Sequence, residues 1–205
     1  MIEIIENGIQ MVTTVVCTVI AFHRGLKSHK RAWFMLALAS GVYFLGDVYW
    51  QLFLVIYGET PHISDIPYLS LYAGYLFLML MMFEIRGERP SKKRRRILWI
   101  IPLFTVGMCI FYLQWGDWVS NIAAAILMSM LIGHAAGGLL APRENPQKKW
   151  IYISILLFCA AEYAAWTISC FWMGDTILNP YFWFDTLLSL SFLLFPWALR
   201  KAVDE

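Results

Sequence analysis

Charged side chains are scarce in this sequence, at 15% of the residues, whereas hydrophobic residues make up 60%. Soluble domains of similar length carry about 25% charged residues. So large an apolar excess argues against a water-soluble domain, and lipid is the simplest environment that accommodates it. One bundle of helices accounts for the whole length, so the sequence predicts a single domain over residues 1–205.

Cysteine, histidine and the common catalytic motifs are also too sparse for several kinds of site. The four cysteines lie in apolar stretches without a CxxC pair, which argues against a disulfide framework and against zinc. The four histidines are far apart, so a zinc-dependent membrane hydrolase is not expected. A glycine-rich phosphate loop and a GxSxG motif are both missing. The sequence therefore predicts no catalytic residue, no metal, no cofactor and no nucleic-acid partner.

What the chain has instead is a series of long apolar segments. Crossing the hydrocarbon core takes about 20 mostly apolar residues, and backbone groups in lipid need internal partners, which favours helices. Seven segments meet this requirement, at about residues 5–23, 32–57, 66–85, 97–115, 118–140, 150–173 and 179–199. The predicted fold class is an all-α integral membrane protein, a bundle of seven transmembrane helices. No lysine lies within a segment, which excludes a retinal Schiff base.

The basic residues are confined to alternate loops. All 16 lysines and arginines fall in the first, third and fifth loops and in the C-terminal tail. The remaining loops carry only acidic charges, from Glu59, Asp65, Asp117 and Asp175. Because positively charged loops stay in the cytoplasm, the N-terminus is predicted outside and the C-terminus inside.

Three acidic residues lie well inside the predicted membrane segments, where an ionisable group is costly and needs a reason. Asp47 is on the second helix, Glu162 on the sixth and Asp185 on the seventh. Counted from the outer ends of their helices, all three fall in one layer of the outer half of the bundle.

Aromatic side chains accompany these acids at helical spacing. Tyr43 and Trp50 share a face with Asp47, Trp166 shares one with Glu162, and Tyr72 belongs to a tyrosine stripe on the third helix. If the faces converge, they form an outward-opening pocket with an acidic floor and aromatic walls. Such a pocket suits an organic cation, or an apolar ligand with one hydrogen-bonding group.

Other interpretations of the same residues stay open. The acids and aromatic side chains can simply fasten helices together. A transporter of a cationic or proton-coupled solute would use the same acids, and a lipid-modifying enzyme is a third alternative. Gly133 and Gly137 form a GxxxG pair that favours close helix contact, within the bundle or in a homodimer.

Part of the chain resembles a known class of sensor. The segment from Gly46 to Trp50, the loop from Ser64 to Leu69 and the segment from Tyr72 to Leu78 resemble the multi-helix membrane sensor regions that precede diguanylate cyclase or histidine kinase domains in many bacteria. The resemblance implies a multi-pass protein of a bacterial plasma membrane that receives a small ligand from outside. It also implies signalling through the seventh helix and the tail, to a cytoplasmic output domain or a partner protein. No ligand residues carry over from the resemblance.

Overall fold

Every regular element in the described part of the chain is helical. The structure, a computed structural model, describes residues 2–62, 66–85, 90–141, 145–172, 174 and 176–204. The helices are α1 (Ile2–Ser28), α2 (Arg31–Tyr57), α3 (Ile66–Ile85), α4 (Lys92–Ile97), α5 (Ile100–Tyr112), α6 (Trp118–Leu140), α7 (Lys149–Ser169) and α8 (Pro180–Val203), with a short 3₁₀ turn at Pro146–Lys148. Among the described residues, seven helical stretches are long and apolar enough to cross a membrane. Asp65 and Asp175, used above for the orientation, lie outside the described residues, as do Arg86, Arg89 and Arg143.

The predicted helix bounds need four corrections, and one of them is that the seventh span continues to Val203 instead of ending near residue 199. The first helix continues to Ser28 instead of ending near residue 23, since it extends past the apolar stretch into polar residues. The sixth span ends at Ser169 and not near residue 173. The fourth span is not continuous: α4 ends at Ile97, a turn follows, and α5 runs from Ile100 to Tyr112. Pro102 explains the new start, because proline lacks an amide hydrogen and is tolerated in the first turn of a helix.

Local sequence signals account for the helix ends. The backbone N–H of Ser120 donates to Asp117 at 2.8 Å and caps α6, and this hydrogen bond holds the pKa of the exposed Asp117 carboxyl below its usual value. Asn179 caps α8 by accepting from the backbone N–H of Tyr181, and Pro180 occupies the first helical position. Gly58 ends α2 in the left-handed conformation, with φ of 74°.

Six helices form a closed ring, and α5 lies outside it. Around the ring, α1 packs on α2, α2 on α3, α3 on α6, α6 on α7, α7 on α8, and α8 on α1. The helix α5 packs on α6 at the periphery. The ring encloses the core, which includes the fully buried side chains of Trp33, Leu36, Phe158, Phe192 and Phe195.

One end of the bundle carries the basic residues, and we call it the basic end. There Lys30, at the start of α2, contacts the carbonyl of Val203 and forms an ion pair with Asp204 at 2.9 Å. Arg94 on α4 donates to the carbonyl of Leu140 at the end of α6. The ends that carry the first, third and fifth loops and the C-terminal tail therefore lie together. The opposite end, where α1 begins, is called the open end.

Candidate functional site

A cavity of about 330 Å³ occupies the open end of the ring. Small-molecule sites commonly measure about 300–1,000 Å³. Its lining comes from seven of the eight helices and from the turn after α5: Asn7, Gln10, Tyr43, Gly46, Asp47, Trp50, Pro67, Tyr68, Leu71, Tyr112, Trp115, Gly116, Ser120, Asn121, Glu162, Trp166, Ser169, Cys170, Tyr181, Asp185 and Leu188. The cavity therefore lies where helix faces distant in sequence converge.

All three acids singled out in the sequence line this cavity. Glu162 is 3% exposed and Asp185 is 6% exposed. Asp185 lies close enough to interact electrostatically with both Asp47 and Glu162. Among the described residues, no lysine, arginine or histidine lines the cavity. Three carboxyl groups thus share one cavity whose described lining has no basic side chain.

Glu162 is held by two tyrosine hydroxyls. The hydroxyl of Tyr75 on α3 donates to Oε1 of Glu162 at 2.6 Å, and that of Tyr43 on α2 donates to the same oxygen at 3.4 Å. These contacts join α7 to α2 and α3. Glu162 therefore has the helix-fastening role considered from the sequence, while it also forms part of the cavity wall.

Asp47 is in a different position. Its Oδ2 atom is buried and has no hydrogen-bond partner within the described residues. Buried polar atoms are normally paired, because an unpaired one forfeits its interaction with water. Asn7 on α1 has the same property, since its Nδ2 is buried without a partner and its side chain lines the cavity. An acceptor and a donor in one cavity are thus both left unsatisfied by the protein.

Aromatic rings form a continuous wall around the cavity. The ring of Trp50 lies 6.3 Å from that of Tyr68, which lies 6.4 Å from that of Trp166, and Trp166 lies 6.1 Å from Tyr112. Aromatic faces attract cations through their quadrupole at about 6 Å or less. Together with the carboxyl groups, this wall has the chemistry of a cation site.

The floor of the cavity is closed by packed rings. Tyr43 lies 4.9 Å from Phe192 and 6.0 Å from Phe158, between ring centroids, and Phe158 lies 5.7 Å from Phe192. All three side chains are buried, and beyond them the buried Phe195 and Leu199 continue towards the basic end.

Six of the seven side chains proposed from the sequence line the cavity: Tyr43, Asp47, Trp50, Glu162, Trp166 and Asp185. Tyr72 is not in this lining, to which α3 contributes Pro67, Tyr68 and Leu71. Asp65, which begins the tyrosine stripe in the sequence, lies outside the described residues.

Sequence reasoning missed the contribution of α1 and the loop-proximal ends of α5, α6 and α8. Asn7 and Gln10 are spaced three residues apart on α1 and so share a face, a signal that the sequence does contain. Asn121 holds the turn between α5 and α6 by donating to the carbonyl oxygens of Tyr112 and Asp117. Tyr181 lines the cavity near Asp185.

Among the described residues, no group of three His, Cys, Asp or Glu side chains is placed to hold a metal ion.

Comparison of the chain with family models, with curated proteins and with solved structures finds no match.

Proposed function

We propose that this chain is a membrane receptor module that binds a small organic cation in the cavity at the open end. The seven membrane-length helices suggest a multi-pass membrane protein. The proposal orients the N-terminus and the open end to the outside of a bacterial plasma membrane and the C-terminus to the cytoplasm, as the distribution of basic residues favours.

One observation carries the proposal: the buried Oδ2 of Asp47 has no hydrogen-bond partner among the described residues, and the described lining of its cavity has three acids and no basic side chain. An uncompensated buried carboxylate is costly, and a bound cation removes that cost. An ammonium group beside Asp47 would also face the rings of Trp50 and Trp166, which supply cation–π attraction. A carbonyl or hydroxyl on the ligand would accept from Nδ2 of Asn7.

The signal would leave the site through α8. Asp185 places one cavity acid on this helix, and two turns further along α8 the side chain of Phe192 packs in the floor. At its far end α8 is tied to the start of α2 by the Lys30–Asp204 ion pair. A cation that draws Asp185 and Asp47 together would shift α8 against α2, and the shift would reach the tail that connects to an output domain or partner protein.

The closed floor favours a receptor over the alternative of a transporter. A transported solute has to cross the layer of Tyr43, Phe158 and Phe192, which is buried and closely packed. A transport cycle would therefore require this layer to come apart. Liposome flux separates the two functions: a receptor gives no uptake of a cation that it binds, whereas uptake driven by a pH gradient would favour transport.

Binding is tested with the protein in lipid nanodiscs, by calorimetry with choline and with its neutral isostere 3,3-dimethyl-1-butanol. Choline is expected to bind and the isostere is not. Asp47→Asn is expected to weaken choline binding by about tenfold to a hundredfold, since a hydrogen bond or pair with a charged group contributes about 1.5–3 kcal/mol.

Glu84→Gln is the matched control, because Glu84 is an exposed acid on α3 near the basic end. It should bind choline as the unmodified protein does. Equal binding of the neutral isostere contradicts the proposal. So does choline affinity that is unchanged in Asp47→Asn.

A further inference from the structure

A second, apolar crevice lies on the side of the bundle between α5 and α7. Its volume is about 510 Å³, and its lining is almost wholly apolar. The side chains that matter here are Ile101 and Phe104 of α5, Ile132 of α6, and Leu156, Ala160 and Tyr163 of α7.

The crevice faces sideways because α5 lies outside the ring and packs on α6. Phe104 is 50% exposed, and Ala160 on the opposite wall is exposed as well. In a bundle that spans a membrane, a crevice with such an opening adjoins the acyl chains of the lipid. It is therefore suited to a hydrocarbon chain and unsuited to a polar molecule.

A small chamber lies between the crevice and the acidic cavity. This chamber measures about 30 Å³ and shares Tyr112, Asn121, Glu162 and Trp166 with the cavity. It shares Tyr163 with the crevice. Cavity, chamber and crevice thus follow one another along α7, from an acidic and aromatic part to an apolar one.

Tyr163 stands between the chamber and the crevice. Its ring stacks on Tyr112, with planes 10° apart, and meets Phe104 edge-on at 5.4 Å. Its hydroxyl is buried and has no hydrogen-bond partner in the described residues. Rotation of this side chain would join the two spaces without breaking a hydrogen bond of the hydroxyl.

From this succession of adjoining spaces along α7 we propose that the ligand is a cationic amphiphile with a single alkyl chain, whose binding turns the Tyr163 ring aside. The ammonium head lies beside Asp47, which rests on the proposed function. The chain passes Glu162 and the ring of Tyr163 and occupies the crevice between α5 and α7. The occupant of the crevice is the chain of the bound ligand, and a bilayer lipid in the same place is the competing outcome.

The test compares tetramethylammonium with octyltrimethylammonium in nanodiscs of fixed lipid composition, with empty nanodiscs subtracted. The octyl compound should bind at least about tenfold more tightly, since each buried methylene favours binding. Ala160→Phe fills the crevice at an exposed position and should remove this advantage, while tetramethylammonium binding stays unchanged. Leu157→Phe is the matched control, since Leu157 is exposed on the same helix but does not line the crevice.

A terminal diazirine on the octyl chain gives a second measurement that is independent of affinity. Photolabelling is expected within residues 100–104 and 156–163, and it should disappear in Asp47→Asn. Labelling that persists in Asp47→Asn shows that the alkyl chain enters the crevice from the bilayer without the Asp47 carboxylate, and it overturns the inference.

The possible failures are distinguishable. If tetramethylammonium binds through Asp47 but the octyl chain adds no affinity, the inference fails and the proposed function stands. If octyl affinity is the same in Ala160→Phe and Leu157→Phe, the crevice is not the chain site. If neither cation binds through Asp47, both proposals fail.

Discussion

The three carboxyl groups in the cavity differ in their hydrogen-bond partners. Glu162 accepts from two tyrosine hydroxyls, whereas Oδ2 of Asp47 has no partner in the described residues. Asp185 interacts electrostatically with both of the other acids. Helix fastening and ligand binding are therefore not exclusive: Glu162 carries the first role, and Asp47 is the residue to which the second is assigned.

The first prediction concerns the unequal hydrogen bonds to Glu162. Tyr75→Phe removes the 2.6 Å donor and should destabilise the protein by about 1–2 kcal/mol, because a buried carboxyl oxygen loses its main partner. Tyr43→Phe removes only the 3.4 Å donor and should cost less. Thermal unfolding in detergent, followed by tryptophan fluorescence, measures both. A larger loss for Tyr43→Phe would contradict the assignment.

The acids were predictable residue by residue because a charged group in an apolar segment is conspicuous. The spacing along α3 predicts Tyr72 as a site residue, but the α3 residues that line the cavity are Pro67, Tyr68 and Leu71. Tyr72 lies about 100° around the helix from Leu71, although only about 40° from Tyr68. Spacing along one helix indicates a face, and the packing against α2 and α6 decides which face meets the cavity.

At the scale of helices, close approach depends on glycines opposite aromatic rings. Gly74 of α3 lies against the ring of Tyr43, and Gly138 of α6 lies against that of Tyr152. Only one glycine of the GxxxG pair lies near another helical segment. A Cβ at Gly137 would lie 3.6 Å from Leu98, whereas one at Gly133 would meet nothing within 4 Å. The sequence indicated the helix with close contacts, and Gly138 is the glycine that makes the closest one.

The second prediction compares two glycine substitutions. Gly74→Ala forces the Tyr43 ring to move and should cost about 1–3 kcal/mol, as overpacking does. It should also weaken choline binding, since Tyr43 lines the cavity.

Gly133→Ala is the matched control and should be neutral or stabilise by about 0.5–1 kcal/mol, because alanine favours a helix more than glycine does. Chemical denaturation of the two variants in the same detergent gives both numbers. Equal losses would mean that the contact between Gly74 and Tyr43 is not tight.

At the scale of the whole molecule, the number of membrane-length helical stretches follows from hydropathy, but the ring does not. Hydropathy could not show that α3 packs on α6, that α5 lies outside, or that α1 brings Asn7 and Gln10 to the cavity. These features arise from side-chain packing between segments distant in sequence. The break between α4 and α5 was missed for a different reason, because it lies within a continuously apolar stretch.

The third prediction concerns orientation. Green fluorescent protein fused after Glu205 should fluoresce, and alkaline phosphatase inserted after Gly58 should be active, because the basic end is proposed to face the cytoplasm. Fusions expressed in a bacterial host measure both activities. The reverse pattern would place the cavity on the cytoplasmic side and exclude a ligand from outside.

The cation site itself is tested most directly by X-ray diffraction at the arsenic absorption edge, from crystals grown with tetramethylarsonium, a heavier analogue of tetramethylammonium. The expected result is an anomalous peak in the cavity, within about 6 Å of Oδ2 of Asp47 and of the ring of Trp50 or Trp166. Crystals of Asp47→Asn should lack the peak. A cavity without a peak in the unmodified protein, or an equal peak in Asp47→Asn, would contradict a cation site at Asp47.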